Sequence, residues 1–339
     1  MINVLITAVG GDIGQGVLKA LKLSPYDLSI VGTDVDTHAP GLFLCDRGYI
    51  VPATCKQEDE YINKIIQLCQ KENIDIVFSC HEAEQYVIAS NIDKFKSETN
   101  TFFVVQPLEV LSITADKSKV YPYLSKNNIR VPETQYTKEG IKELINKYSF
   151  PIVLKSAQGS GSRHFHLAEN EEEINKYWDD IPKPIAQEYI TNDKNEEYTV
   201  GIFLDNNSKS LGAITMLRKM RFGLTSHAII DEYPDVTELA VLAAQTVGAI
   251  GPCNVQLRRD RENKACIIEI NARISSTVAF RAKLGFNEVE ASVDYFLKNK
   301  QPDLVYKKGV VMKIWDELII PTEQYRALEE NGNVDNEEY

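Results

Sequence analysis

The 339-residue chain predicts an α/β unit followed by an α+β unit built on hairpins. Three observations predict it. At the start, the apolar run Asn3–Val9, glycines at 10, 11, 14 and 16, the helical pattern Val17–Leu23 and the run Ser29–Thr33 ending in Asp34 spell a Rossmann-like βαβ unit. In the middle, Ile152–Lys155 meets the loop SAQGSGSR and a second alternating run from Arg163 to Leu167, which spells a strand pair with a flexible tip. Late in the chain, the alternating runs Cys253–Arg258 and Ala265–Ile270 flank a charged turn. That is a hairpin pattern, and it carries the most chemistry.

A turn centred between Glu262 and Asn263 sets Gln256 opposite Glu269. Glu269 and Asn271 are two residues apart, so they leave one strand in the same direction. Three oxygen-bearing side chains then converge at one strand end, a hard donor set that suits Mg²⁺ with nucleotide phosphates. The alternative is a solvated Glu and a turn Asn. The apolar run IIEI favours the metal reading, since it predicts burial with a carboxylate set into its end. Arg273 follows at the spacing needed to meet an anion held by the same metal.

Composition bounds the function. An apolar fraction of 43% and a charged fraction of 25% are those of an ordinary soluble globular protein. A net charge of −12 argues against sequence-independent binding to nucleic acid or anionic membranes. No apolar run has the length of a membrane span, and the first residues lack the basic region of a signal peptide. The six cysteines form no CxxC pair, so zinc is not expected and a reducing cytoplasm is.

The remaining elements follow in order. Ile13 breaks the dinucleotide fingerprint, which speaks against NAD. Helix Tyr61–Glu72 and strand Asp75–Ser79 continue the alternation, and His81, Glu82 and Glu84 follow that strand's carboxyl end. Ligands bind at that edge of open α/β sheets, so Glu82 is a candidate substrate contact or else a helix-start acid. Thr101–Val105 closes the first unit; Leu108–Ala115 and Lys117–Asn127 read as helices. The Gly/Ser loop lacks a Walker signature, yet its unobstructed N–H groups can fold over phosphates, with Lys155 adding charge. A plain flexible hairpin is its alternative. Pro184–Ile190, Glu197–Leu204 and Ser210–Leu217 read as strands. Arg218, Lys219 and Arg221 form a basic cluster in an acidic chain, expected either to meet an anion or to join a loop salt-bridge network. Glu238–Gly248, Ser275–Lys283 and Glu288–Lys298 read as helices, the second aimed at the proposed metal site by its N-terminus. Val310–Ile314 reads as a strand, and the acidic tail from about Glu329 as disordered.

From Ala115 onward the pieces ADKSKVYPYLSK, PIVLKSAQGSGSR, AQEYI, EEYTVGIF, GPCNVQL and IIEINARISSTVAF resemble, in order and spacing, the ATP-grasp superfamily. The likeness is greatest to members related to the large subunit of carbamoyl-phosphate synthase. The resemblance implies a pre-ATP-grasp domain over 1–112, a small lobe over 113–190, a catalytic lobe over 191–320 and a partly disordered tail over 321–339. It also implies that Lys117 and Lys155 hold ATP phosphates under a loop of Gly159, Ser160, Gly161 and Ser162. Gln187, Glu188, Tyr189 and Ile190 are then expected at the adenine, and Glu197 at the ribose. Glu269, Asn271 and Gln256 are expected to hold Mg²⁺, with Mn²⁺ as an alternative. Arg218 and Arg273 are expected to stabilise the phosphoryl group, with Glu82, Arg218, Arg221, Arg273 and Ser275 at the substrate. Ser156 and Ala272 stand where the family often has proline, which puts local backbone shape in question but removes no ligand.

The implied activity joins a small-molecule carboxylate to an amine through an acyl-phosphate, releasing ADP and phosphate. An ATP-grasp kinase acting on a carboxylate, carbamate or amide is the alternative; a nucleotide-binding scaffold and an NAD oxidoreductase are weaker rivals. Family habit favours a homodimer.

Overall fold

A computed structural model describes residues 1–159, 164–314 and 316–336. The first unit is a sheet of parallel strands β1 (Ile2–Ile6), β2 (Leu28–Asp34), β3 (Arg47–Ile50), β4 (Ile76–Phe78) and β5 (Phe102–Val104), with helices α1 (Asp12–Leu21), α2 (Glu58–Lys71), α3 (Glu82–Ser90) and α4 (Ile92–Glu98) between them. Parallel strands covered on both faces read as unbroken apolar runs, and Val4, Leu5 and Ile6 are accordingly fully buried. Gly14 lets α1 press onto the turn that follows β1, since a Cβ there would lie 2.4 Å from the Ala8 carbonyl oxygen. Asp34 Oδ2 accepts the Gly10 N–H at 2.8 Å. This bond ties the glycine turn to the end of β2.

Helices α5 (Leu108–Thr114) and α6 (Lys117–Lys126) lead out of this unit, and Asp116 caps α6 by accepting from the Ser118 N–H. A four-stranded antiparallel sheet follows. It is built from β6 (Thr134–Gln135), β7 (Ile152–Ser156), β8 (His166–Ala168) and β9 (Pro184–Glu188), with α7 (Ile141–Tyr148) and α8 (Glu171–Tyr177). Asn170 caps α8 through the Glu173 N–H, while Glu173 reaches back to the Glu169 N–H.

The third unit carries β10 (Glu197–Leu204), β11 (Ser210–Arg221), β12 (Leu224–Ile230), α9 (Pro234–Thr246), β13 (Gly251–Arg259), β14 (Ala265–Asn271), α10 (Val278–Lys283), α11 (Glu288–Ser292) and β15 (Gly309–Met312). Its six strands run in the order β14-β13-β10-β11-β12-β15. Ala240, Ala243 and Ala244 of α9 seal one face beside Val200, Val255 and Ile267, all fully buried. The small alanines let helix and sheet approach closely.

Two expectations need correction. The described part of the tail is ordered. Helix α12 (Thr322–Asn331) and strand β16 (Asn333–Asp335) follow β15, and β16 pairs antiparallel with β3. Leu328 and Val334 drive this by joining the core of the first unit, an attraction that the acidic residues around them conceal. Arg218 and Arg221 lie in strand β11 and not in a loop, because β12 extends the sheet and prolongs its neighbour.

Candidate active site

The catalytic sheet places its polar side chains in rows. Thr199 of β10 lies opposite Gln256 of β13, and Gln256 opposite Glu269 of β14. Asn254 pairs with Asn271, and Glu197 lies between Arg218 and Arg258. Strand alternation puts these residues on one face. The Gln256–Glu269 pairing is the one the hairpin spacing predicts.

Each candidate metal-ligand oxygen faces a cation of the protein. Glu269 Oε1 lies 3.5 Å from Lys117 Nζ. Gln256 Oε1 accepts from Arg218 Nη2 at 2.9 Å, and Asn271 Oδ1 from Arg273 Nη2 at 3.2 Å. Burial pushes the Glu269 carboxyl up, but Lys117, Lys155, Asn271 and Arg273 outweigh it and hold the group below its ordinary value. The carboxylate is thus ionised and ready to accept a divalent charge. One carboxylate and two amide oxygens on adjacent strands form a hard donor set that fits Mg²⁺. Among the described residues no group of three or more His, Cys, Asp or Glu side chains is placed to hold a metal.

Lys155 donates to the Tyr121 hydroxyl at 3.2 Å, and Tyr121 donates to the Ile268 carbonyl at 2.6 Å. Burial, reinforced by the charge of Lys117, lowers the Lys155 ammonium to about 7. Lys117 also donates to the Gly159 carbonyl at 3.3 Å, which ties the start of α6 to the loop. Gly159 has φ +95°, open to glycine alone at low cost. The expected phosphate contacts Ser160, Gly161 and Ser162 lie outside the described residues.

The other expected residues divide. Gln187 is buried and donates to Thr134 Oγ1 at 2.7 Å, and Glu188 accepts the Glu133 N–H at 3.0 Å. Both side chains are spent inside the small lobe, and the backbone at Gln187 and Glu188 pairs with β6, β7 and Glu133. Ile190 is buried, and the Tyr189 ring lies 5.4 Å from the Arg258 guanidinium. Glu197 accepts from Arg218 at 2.6 Å. Arg218 is therefore held between Glu197 and Gln256. Arg273 pairs with Glu82 at 2.9 Å, bringing the first unit to the catalytic sheet. Arg221 stands at the exposed hairpin tip with its guanidinium 5.0 Å from the Phe222 ring centre, and no described contact joins it to the site. Ser275 is buried and shares a 2.8 Å hydrogen bond with Thr277, turned inward from any substrate. The helix beyond it begins only at Val278, because Ser275–Thr277 form its leading turn.

Sequence reasoning missed Tyr121 and the buried network behind the sheet. Arg281 pairs with Glu288 at 2.6 Å, both fully buried, and donates to Thr277 and Asn254. Asn254 also accepts from Thr199 at 2.8 Å. Gly201 makes room, since a Cβ there would lie 2.5 Å from Arg281 Nε. Asn254 was findable, two residues before Gln256 on the same strand. Arg281 was not, as its partner lies on the next helix.

A small cavity of about 80 Å³ lies among Glu82, Lys117, Gly159, Glu269, Asn271 and Arg273. The cluster lies where the Rossmann-like unit meets the two sheet-bearing units that follow it. Residues 4–103 match the family described as PylC-like, N-terminal domain, and residues 181–316 match that described as ATP-grasp in the biosynthetic pathway with Ter operon. The ATP-grasp family match covers residues 181–316, the stretch that carries the candidate site and much of the sequence resemblance. The chain is 24% identical over 326 residues to the carbamoyl phosphate synthase large chain of Clostridium perfringens, an alignment covering 88% of this chain and 29% of that one. It is 23% identical over 287 residues to Multifunctional protein URA2 of Saccharomyces cerevisiae, covering 80% and 13% respectively. The chain thus spans less than a third of the length of these curated relatives.

Among solved structures, the ADP complex of the N5-carboxyaminoimidazole ribonucleotide synthetase purK aligns with TM-score 0.71 at 15% identity, covering 97% of this chain and 84% of that one. The MgADP- and bicarbonate-bound biotin carboxylase domain of Hydrogenobacter thermophilus 2-oxoglutarate carboxylase aligns with TM-score 0.70 at 16% identity, covering 91% and 73%. No helix among the described residues is long and apolar enough to cross a membrane.

Proposed function

We propose that this chain is an ATP-dependent ligase joining a carboxylate to an amine through an acyl-phosphate. The observation that carries the reading is the row of Gln256, Glu269 and Asn271 oxygens facing Lys117, Arg218 and Arg273 on one sheet face. The nucleotide lies between the lobes, its base against the backbone of residues 187–190 and its phosphates between Lys117, Lys155 and the loop after Ser156. Glu269, Asn271 and Gln256 would hold Mg²⁺, or Mn²⁺ in its place. When bound, the ion offsets charge on the phosphoryl oxygens.

A substrate carboxylate oxygen attacks the γ-phosphorus in line, and the bond to ADP breaks. Lys155 and Arg273 offset the charge that spreads over the equatorial oxygens. The amine nitrogen then attacks the acyl carbon. The carbon–oxygen bond to phosphate breaks, phosphate leaves with the electron pair, and the nitrogen loses a proton. Glu82, held by Arg273, stands at the substrate mouth.

The test is an ADP-release screen of carboxylates crossed with amines, with hydroxylamine included to trap any acyl-phosphate as a hydroxamate. Carboxylate-dependent ADP release with hydroxamate formation is expected. ADP release that needs no amine and leaves a stable phosphorylated product would show a kinase instead.

A further inference from the structure

A second, larger cavity of about 340 Å³ lies on the other side of Arg273 and shares Gln85, Ala272 and Arg273 with the first. Its walls come from two units. Phe102 and Val104 at the free edge of the first sheet face Ile250 and Phe296 of the catalytic unit, with Ala89 of α3 behind. The Phe102 and Phe296 rings stack at 4.5 Å between centroids and clamp the units together there. Gln106 fixes the same junction, exchanging hydrogen bonds with the backbone of Ile250 and donating to the Pro252 carbonyl. A pocket of this size, mostly apolar with few polar groups, suits a small molecule. The Arg273 guanidinium, shared with the first cavity, is one such polar group.

We infer that this cavity binds the apolar body of the amine substrate, a branched aliphatic or aromatic group. The inference rests on the ligase reading for the role of the amine, and it names the class of acceptor. The amine end reaches the Arg273 junction, where the acyl-phosphate forms next door. The guanidinium charge there disfavours an ammonium, and attack requires the neutral nitrogen. The apolar walls reject small polar amines, which leave the cavity to water.

The experiment titrates the full chain, with ADP and Mg²⁺ present, with leucinamide, phenylalaninamide and glycinamide by calorimetry. Leucinamide or phenylalaninamide is expected to bind at least tenfold more tightly than glycinamide. Ala89→Leu, which fills the cavity, is expected to remove that preference, with ADP binding as the check that the variant is folded. Should that variant fail to fold, Val104→Phe fills the opposite wall. Equal binding of the three amides, no binding of any, or an unchanged preference in the filled variant overturns the inference. The ligase reading fails separately, when no carboxylate in the panel yields a hydroxamate.

Discussion

Lys155 makes nucleotide binding a proton-linked event. Its ammonium is lowered to about 7 by burial and by Lys117, with the Glu269 carboxylate only partly offsetting them. At pH 8 about nine-tenths of the free protein therefore holds this side chain neutral. Phosphate oxygens beside it restore the charged form and return the group towards its ordinary range of about 10.4. Binding then takes up close to one proton between those limits. The sign follows from the direction of the shift: the proton is gained on binding, so affinity falls as pH rises, by nearly tenfold per unit above about 8. A terminal phosphate with a pKa of about 6 is already ionised there and does not confuse the count.

The assay is calorimetric titration with ADP and Mg²⁺ at pH 8 in buffers of different ionisation enthalpy. The observed enthalpy should change across buffers with a slope of about one proton. In Lys155→Arg, which keeps its charge throughout, the slope should vanish. A wild-type slope of zero, or an unchanged slope in Lys155→Arg, refutes the reasoning.

Other outcomes follow from the same geometry. Glu269→Ala should cut substrate-dependent ADP release by about 100-fold or more, while release at the wild-type rate would remove Glu269 from the metal set. Glu84 is raised to about 7 by burial. A carboxyl raised above its unfolded value loses stability as pH climbs from about 4 to 7. Glu84→Gln should therefore stabilise the protein at pH 8 by up to about 3 kcal/mol and by little at pH 4, as urea titration at both values will show. Arg281→Met should cost about 3–5 kcal/mol by stranding Glu288, and Arg281→Met with Glu288→Leu should recover most of it. An equal loss in the single and double variants would deny that pair its coupling.

The parts of this fold that were legible in the sequence are those in which neighbours explain each other. Alternation in Cys253–Arg258 and Ala265–Ile270 fixed a register, and from it the Gln256–Glu269 pair and the position of Asn271. The glycine turn after β1 was equally local. What stayed hidden depends on distant partners. Strand β3 is a four-residue stretch, RGYI, that extends only because β2 and β16 flank it. Arg218 could be read either as meeting an anion or as a salt-bridge partner, and only the register of β11 sets it opposite Glu197. Ser275 looked like a helix-start ligand, yet Thr277 and Arg281 draw that turn inward.

Strand β16 has a consequence for how the molecule is made. The first sheet's margin at β3 is covered by residues that leave the ribosome some 280 positions later. A nascent chain therefore carries a raw β-edge through most of its synthesis, open to wrong partners. Shortening the chain before Asn333 would leave that edge uncovered for good, so damage near the carboxyl end should surface as aggregation seeded from the opposite end of the polypeptide.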